Sequence, residues 1–166
     1  ESFIDYRRTR DRNAQMVLVL NRQNDSKHWQ RFIQREYKMR VGLAISKNAD
    51  SASTIKSFRN GNYDCLITVG MAHEGTDAPH VTHMGILRNI RSEPFIEQSI
   101  DRATRIDYDS CVNNSDQCAH IFVPSDKKLS IIIDEISKAQ LTGIQELQER
   151  AARQAEETED DRQKFI

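Results

Sequence analysis

The chain has 166 residues, of which 37% are hydrophobic and 30% charged, and its formal net charge is −1. That length holds one domain with a real core and is short for two, while no apolar run approaches the ~20 residues of a membrane-spanning helix. The near-neutral balance excludes wrapping of nucleic acid through a bulk positive field, so any such contact must be local.

Glu1 opens the chain without Met and no basic-then-apolar leader follows, which reads as a fragment excised from a longer protein. The three cysteines, Cys65, Cys111 and Cys118, are odd in number, as expected in a reducing compartment, and a cytoplasmic location follows as an expectation. Cys111 and Cys118 lie in the polar stretch DSCVNNSDQC, which lacks the ligand number and spacing of a zinc site and reads as a surface loop.

In chain order, residues 1–13 read as an N-terminal linker or helix. Five short apolar runs follow, at Gln15–Leu20, Arg40–Ile45, Tyr63–Val69, Thr82–Leu87 and His120–Val123. Near-continuous apolar runs of this length suit strands buried on both faces, as in a parallel sheet. Between the first and second, Asp25 or Ser26 is positioned to cap a helix with Trp29, Phe32, Ile33 and Tyr37 at helical spacing. Between the second and third, a helix starts at Asp50 or Ser51, turns Ile55 and Phe58 inward and stops at Asn60-Gly61. Between the fourth and fifth, Ser92 caps a segment with Pro94 in its first turn and Ile96 and Ile100 inside.

Strands alternating with helices predict an α/β fold built on a parallel sheet. The expected organisation is a domain over 14–125 and a C-terminal helical extension over 126–166. That extension has an apolar stripe at Leu129, Ile132, Ile133 and Ile136, then an Ala-, Glu- and Arg-rich acidic tail. Acidic residues from Glu156 to Asp161 mask a slightly basic remainder.

The chemistry concentrates between Thr68 and Arg105. A buried strand ends near Val69 and runs into a loop with Gly70, Glu74, Gly75, Asp77 and Pro79. In open α/β sheets, ligands sit beyond the carboxyl ends of the strands. Gly75 permits a tight turn, and Glu74 and Asp77 offer acceptors for a ribose hydroxyl or an arginine. Further on, Gln98, Arg102 and Arg105 fall at i, i+4 and i+7 on one helix face. Two guanidinium forks aimed together suit a phosphate and could stabilise charge on a transferring phosphoryl group. Each block alone is also what a Gly-containing turn or a salt-bridged surface helix looks like, with Asp101 and Asp107 as ion-pair partners.

The two blocks in order resemble motifs V and VI of superfamily 2 helicases. One common form of the first is T-x-x-x-x-x-E-G-x-D-x-P, matched by Thr68, Glu74, Gly75, Asp77 and Pro79. The second is Q-x-x-G-R-x-x-R, matched by Gln98, Arg102 and Arg105. The flavour is that of phage- and restriction-associated DEAD/DEAH-type helicases. Phe58-Arg59-Asn60-Gly61 resembles the family's F-x-x-G lead-in, and Gln15–Asn21 its motif IV strand. The likeness spans about Ala14 to Val123.

The resemblance implies a RecA-like lobe, the C-terminal one of two. It implies that Arg102 and Arg105 reach the γ-phosphate of ATP as arginine fingers, and that Gln98 senses the same phosphate. Glu74, Gly75 and Asp77 would belong to ATP binding, contacting the ribose or coupling motif V to motif VI. Thr68 and Gly70 would touch a nucleic-acid backbone. Asn21 and Arg22 are secondary candidates for that contact, being also what an ordinary strand-end turn carries. Where many family members have Gly in motif VI, this chain has Asp101, which could pair with the arginines, hold Arg102 in position or point away.

The sequence has no G-x-x-x-x-G-K-[ST] and no acid cluster of the D-E-x-[HD] kind after a strand. Those features hold the ATP phosphates and Mg²⁺, so both are expected on an N-terminal RecA-like lobe of the same polypeptide, and the isolated chain is expected not to hydrolyse ATP. The nucleic-acid partner is expected to be DNA, with RNA as the other option, and no membrane is involved. One competing reading is a degenerate lobe that serves as a nucleic-acid or protein docking module. A dinucleotide-binding oxidoreductase is set aside, because the first strand runs into Asn21-Arg22-Gln23-Asn24 and not G-x-G-x-x-G. His73, His80 and His83 lack the spacing of a metal motif and read as structural.

Overall fold

The five apolar runs become five strands, and in a computed structural model they form one all-parallel sheet. The structure describes residues 1–46, 48–69, 78, 80–87, 92–103, 107–108, 110, 112–113, 116–139 and 142, the side chains of Arg102 and Ala103 excepted. Among these, β1 is Gln15–Leu20, β2 Val41–Ile45, β3 Cys65–Val69, β4 Val81–Leu87 and β5 His120–Phe122. The order across the sheet is β2-β3-β1-β4-β5. The first strand is therefore central, with Leu18 opposite Ile67 on one side and Gly85 on the other. The helices are α1 (Ser2–Thr9), α2 (Gln23–Tyr37), α3 (Ser51–Arg59) and α4 (Glu93–Ala103).

Alternation along the strands sorts the core into two layers. On one face, Leu18 and Leu20 of β1, Val41 and Ile45 of β2, and Cys65, Ile67 and Val69 of β3 pack with Phe3 and Tyr6 of α1 and Ile33 of α2. On the other, Val17, Val19, Ala44, Leu66 and Thr68 are buried, and the right-handed crossovers from β2 to β3 and from β4 to β5 put α3 and α4 there. Phe58 of α3 is fully buried, worth about 2–3 kcal/mol of transfer free energy. Gly85 is set by a close approach: a Cβ built there would meet Leu18 Cδ2 at 2.5 Å.

Helix ends follow backbone geometry more than side-chain caps. Neither Asp25 nor Ser26 caps α2, which begins two residues before Asp25, at Gln23, after the extended Arg22. Ser26 lies in the first turn and its hydroxyl donates to the Gln23 carbonyl at 2.6 Å. At α3, Asp50 is the cap residue, with an αR backbone and no side-chain cap bond, and the neighbouring Ser51 hydroxyl donates to the Ile45 carbonyl at 2.7 Å. The expected stop holds, with Gly61 at φ +76°, a conformation glycine adopts without steric penalty.

Residues 1–13 contribute a helix that is pinned at its far end. Arg7 Nη1 lies 2.7 Å from Asp64 Oδ1, and its Nε and Nη2 donate to the Arg12 carbonyl at 2.8 and 2.6 Å. Arg40 grips the same carboxylate through Nη2 at 2.7 Å and Nε at 3.2 Å, with its backbone N–H on Oδ2 at 2.8 Å. Burial alone would raise the Asp64 carboxyl. The bonds from Arg40 and Arg7 outweigh that and hold it down at about 2.

The chain divides into two compact units, Glu1–Asp126 and Lys127–Ile166. The second begins with a helix over 127–139, where Leu129 and Ile136 of the expected stripe are buried and Ile132 and Ile133 partly so. Among the described residues no helix is long and apolar enough to cross a membrane.

Candidate functional site

Because all five strands are parallel, every carboxyl end opens at one edge of the sheet. Three sequence-marked segments start there: Asn21-Arg22 after β1, the Gly- and acid-containing loop after β3, and α4 following β4. The strands β3 and β4 flank β1 directly, so these segments leave from adjacent strands. Such an edge is where open α/β sheets take ligands.

Asn21 and Arg22 are exposed at the end of β1, and Arg22 is the extended residue that starts α2. Gly70, Glu74, Gly75 and Asp77 lie outside the described residues, as does Arg105. Ala78, at the far end of the loop, is buried and anchors its return, since the Val81 N–H donates to the Ala78 carbonyl at 3.3 Å.

Thr68 is 0% exposed, its side chain facing into the sheet's covered face. The cause is strand alternation: Thr68 shares the inward phase of Leu66 on the face covered by α3. Its Oγ1 is buried without a hydrogen-bond partner, a costly state for a hydroxyl.

Ser92 starts α4, and its carbonyl accepts from the Phe95 and Ile96 N–H groups at 3.1 and 3.2 Å. Phe95, Ile96, Ser99 and Ile100 form the buried face. The Ser99 hydroxyl donates to the Phe95 carbonyl at 2.7 Å, which keeps the inner face satisfied. Gln98 is exposed on the other side, and Arg102 follows it one turn later in the same helix. Asp101 is also exposed. Just beyond, Asp107 is buried and its Oδ2 pairs with His80 Nδ1, with the Gln117 amide bound to the Asp107 backbone at 2.8 and 2.7 Å. Asp107 thus ties the segment after α4 to the turn before β4.

His83 of β4 is fully buried. It packs edge-on against Phe3 and Tyr6 and stacks on His120 at 4.5 Å between ring centroids. Burial, with smaller contributions from His120 and the amino terminus, lowers its imidazole to about 4. Among the described residues no group of three His, Cys, Asp or Glu is arranged to hold a metal ion. The sequence reading missed Gln15 and Asp64, two buried polar residues at strand starts. Their signal is a polar residue set flush against an apolar run, in QMVLVL and DCLITV.

Comparison with known proteins agrees with this architecture. A family model described as "Helicase conserved C-terminal domain" matches residues 1–107. The UvrABC system protein B of Aster yellows witches'-broom phytoplasma is 30% identical over 100 residues, half of this chain and 15% of that protein. The chain therefore spans a small part of the length of this curated relative. Among solved structures, the yeast DEAD-box splicing factor Prp28 superposes with a TM-score of 0.60 at 15% identity, over 82% of this chain and 29% of that one. Domain 2 of the DEAD-box helicase Mss116p, solved with an RNA duplex, gives 0.60 at 14% identity, over 84% of this chain and 52% of that one.

Proposed function

The chain belongs to the helicase conserved C-terminal domain family, and from that premise we propose that it is the second RecA-like lobe of an ATP-dependent nucleic-acid helicase or translocase of superfamily 2. The observation that supports the reading is that β3 and β4, which run into the segments resembling motifs V and VI, are parallel and flank β1 on its two sides, so both segments leave from the carboxyl edge of one sheet.

On this reading the chain supplies half of an ATP site. The other half, with the phosphate-binding loop and the Mg²⁺ ligands, is an N-terminal RecA-like lobe of the same parent polypeptide. Arg102 and Arg105 extend from α4 and the segment after it toward the γ-phosphate, where guanidinium forks neutralise the charge that builds on transfer. Gln98, one turn before Arg102, reports whether that phosphate is present. Glu74, Gly75 and Asp77 contact the ribose or join the loop to α4. Thr68, Gly70, Asn21 and Arg22 meet the nucleic-acid backbone, Thr68 at the base of the loop after β3. The Mss116p domain solved with an RNA duplex supports nucleic acid as the partner, DNA or RNA. ATP closes the two lobes and hydrolysis releases them, a gated motion that alternates grip on the strand.

The test is nucleic-acid-stimulated ATP hydrolysis by the intact parent protein, wild type against Arg102→Ala. A fall by about a thousandfold, the scale of arginine fingers, is the expected result. Turnover equal to wild type would remove Arg102 from the reaction and give the lead to a docking module.

A further inference from the structure

A cavity of about 300 Å³ opens at the amino ends of β1 and β3, at the edge of the sheet opposite the segments just described. Arg7, Arg12, Arg40 and Arg59 all line it. Among the described residues the acid in its wall is Asp64, and that carboxylate is already bound by Arg7 and Arg40. Four guanidinium groups against one carboxylate leave a strong positive excess around a small concave volume. The guanidinium groups of Arg12 and Arg59 have no hydrogen bond or ion pair among the described residues, so their donors are available to a ligand.

The site is also pre-built. Arg7 is fixed by three contacts, to Asp64 and to the Arg12 carbonyl, and Arg40 by its fork on Asp64. Holding guanidinium groups in place before binding reduces the ordering cost of the complex. In the same wall lies Gln15, 2% exposed, whose Nε2 is taken by the Phe58 and Tyr63 carbonyls at 2.7 and 2.8 Å. Its Oε1 is buried with no partner, an acceptor that a water or ligand hydroxyl reaching the floor would satisfy.

We propose that this cavity binds a small multiply charged phosphate anion, of pyrophosphate or tripolyphosphate size, through Arg12 and Arg59 with Arg7 and Arg40 behind them. Arginine forks match phosphate oxygens and stay charged at all working pH. Convergence on one small concave volume favours a compact anion over a polymer backbone, which would call for a stripe of charge along the surface.

Calorimetric titration of the 166-residue chain with sodium pyrophosphate at low salt tests this. Saturable binding is expected with a dissociation constant below about 1 mM. The double variant Arg12→Ala/Arg59→Ala should weaken it at least tenfold, and Arg31→Ala, an exposed arginine on α2, should leave it unchanged. The double variant removes no intramolecular bond, so an unaltered melting temperature checks its fold. A parallel titration with a single-stranded oligonucleotide of about 20 nucleotides separates the sources of phosphate. The proposal is overturned if pyrophosphate does not saturate, if Arg31→Ala weakens it as much, or if only the oligonucleotide binds and loses affinity in the double variant.

Discussion

Arg7 Nη1 stands 2.7 Å from Asp64 Oδ1 and joins the end of α1 to the start of β3. The carboxylate also holds Arg40 and its backbone N–H. Breaking such a partly buried cluster leaves two guanidinium groups without their counter-charge. Asp64→Asn should therefore destabilise the chain by about 2 kcal/mol, below the loss for a fully buried pair because Arg40 is exposed. Urea unfolding of the two proteins measures this, and a change under ~0.5 kcal/mol would mean that α1 is held by Phe3 and Tyr6 alone.

His83 gives the chain an acid sensitivity. Its pKa is about 4 folded against 6.5 when free, so the unfolded chain takes up the proton first. Its contribution to stability is complete above pH 6.5 and is lost as pH falls toward 4, by roughly 3 kcal/mol. Asp64, held at about 2 against 3.8, acts later, losing its contribution as pH falls below 3.8. Urea midpoints between pH 7 and 4 should fall for wild type, and His83→Phe, which suits the surrounding Phe3, Tyr6 and Phe122 rings, should flatten that slope. An equal slope in the variant would assign the sensitivity to other groups.

Gly85 and Leu18 form a size-matched pair across β4 and β1. Gly85→Ala should cost about 1–2 kcal/mol, since the new methyl displaces Leu18 Cδ2 in a packed layer. In a double-mutant cycle with Leu18→Ala the two losses should be less than additive, because the smaller residue makes room. Strict additivity would show that the strain lies elsewhere.

Thr68 carries a buried hydroxyl with no protein partner. Thr68→Val keeps the shape and removes the orphan oxygen, so it should stabilise the chain by about 1 kcal/mol in thermal unfolding. In the intact parent, the same variant should lower nucleic-acid-stimulated ATP hydrolysis if the loop after β3 draws on that hydroxyl when both ligands are bound. A stabilised variant with wild-type turnover would make Thr68 purely a core residue.

The strands were legible because a parallel sheet needs apolar residues on both faces, and QMVLVL or CLITV can satisfy little else. The helix stop at Asn60-Gly61 was equally local. The start of α2 was not, since Asp25 and Ser26 fit a cap as well as a first turn, and only the extended Arg22 backbone decides between them. The inward turn of Thr68 depends on strand register, which its sequence neighbours do not encode alone. The loop and helix that resemble the helicase motifs were legible as spaced residue types, and the strands they follow, β3 and β4, are parallel neighbours of β1. The arginine cavity left no local trace, because Arg7, Arg12, Arg40 and Arg59 come from separate segments and meet only once β1 and β3 pair.

The sheet order bears on how the chain emerges during synthesis. Strand β1 is made first, yet both of its neighbours, β3 and β4, begin only at Cys65 and Val81. Until they arrive, an uncharged, proline-free apolar hexamer waits without a strand on either side, the kind of segment that self-associates. A nascent chain halted before Val69 would therefore be a client for holding chaperones, and the domain becomes safe to release only after the crossover from β3 to β4 has enclosed its own first strand.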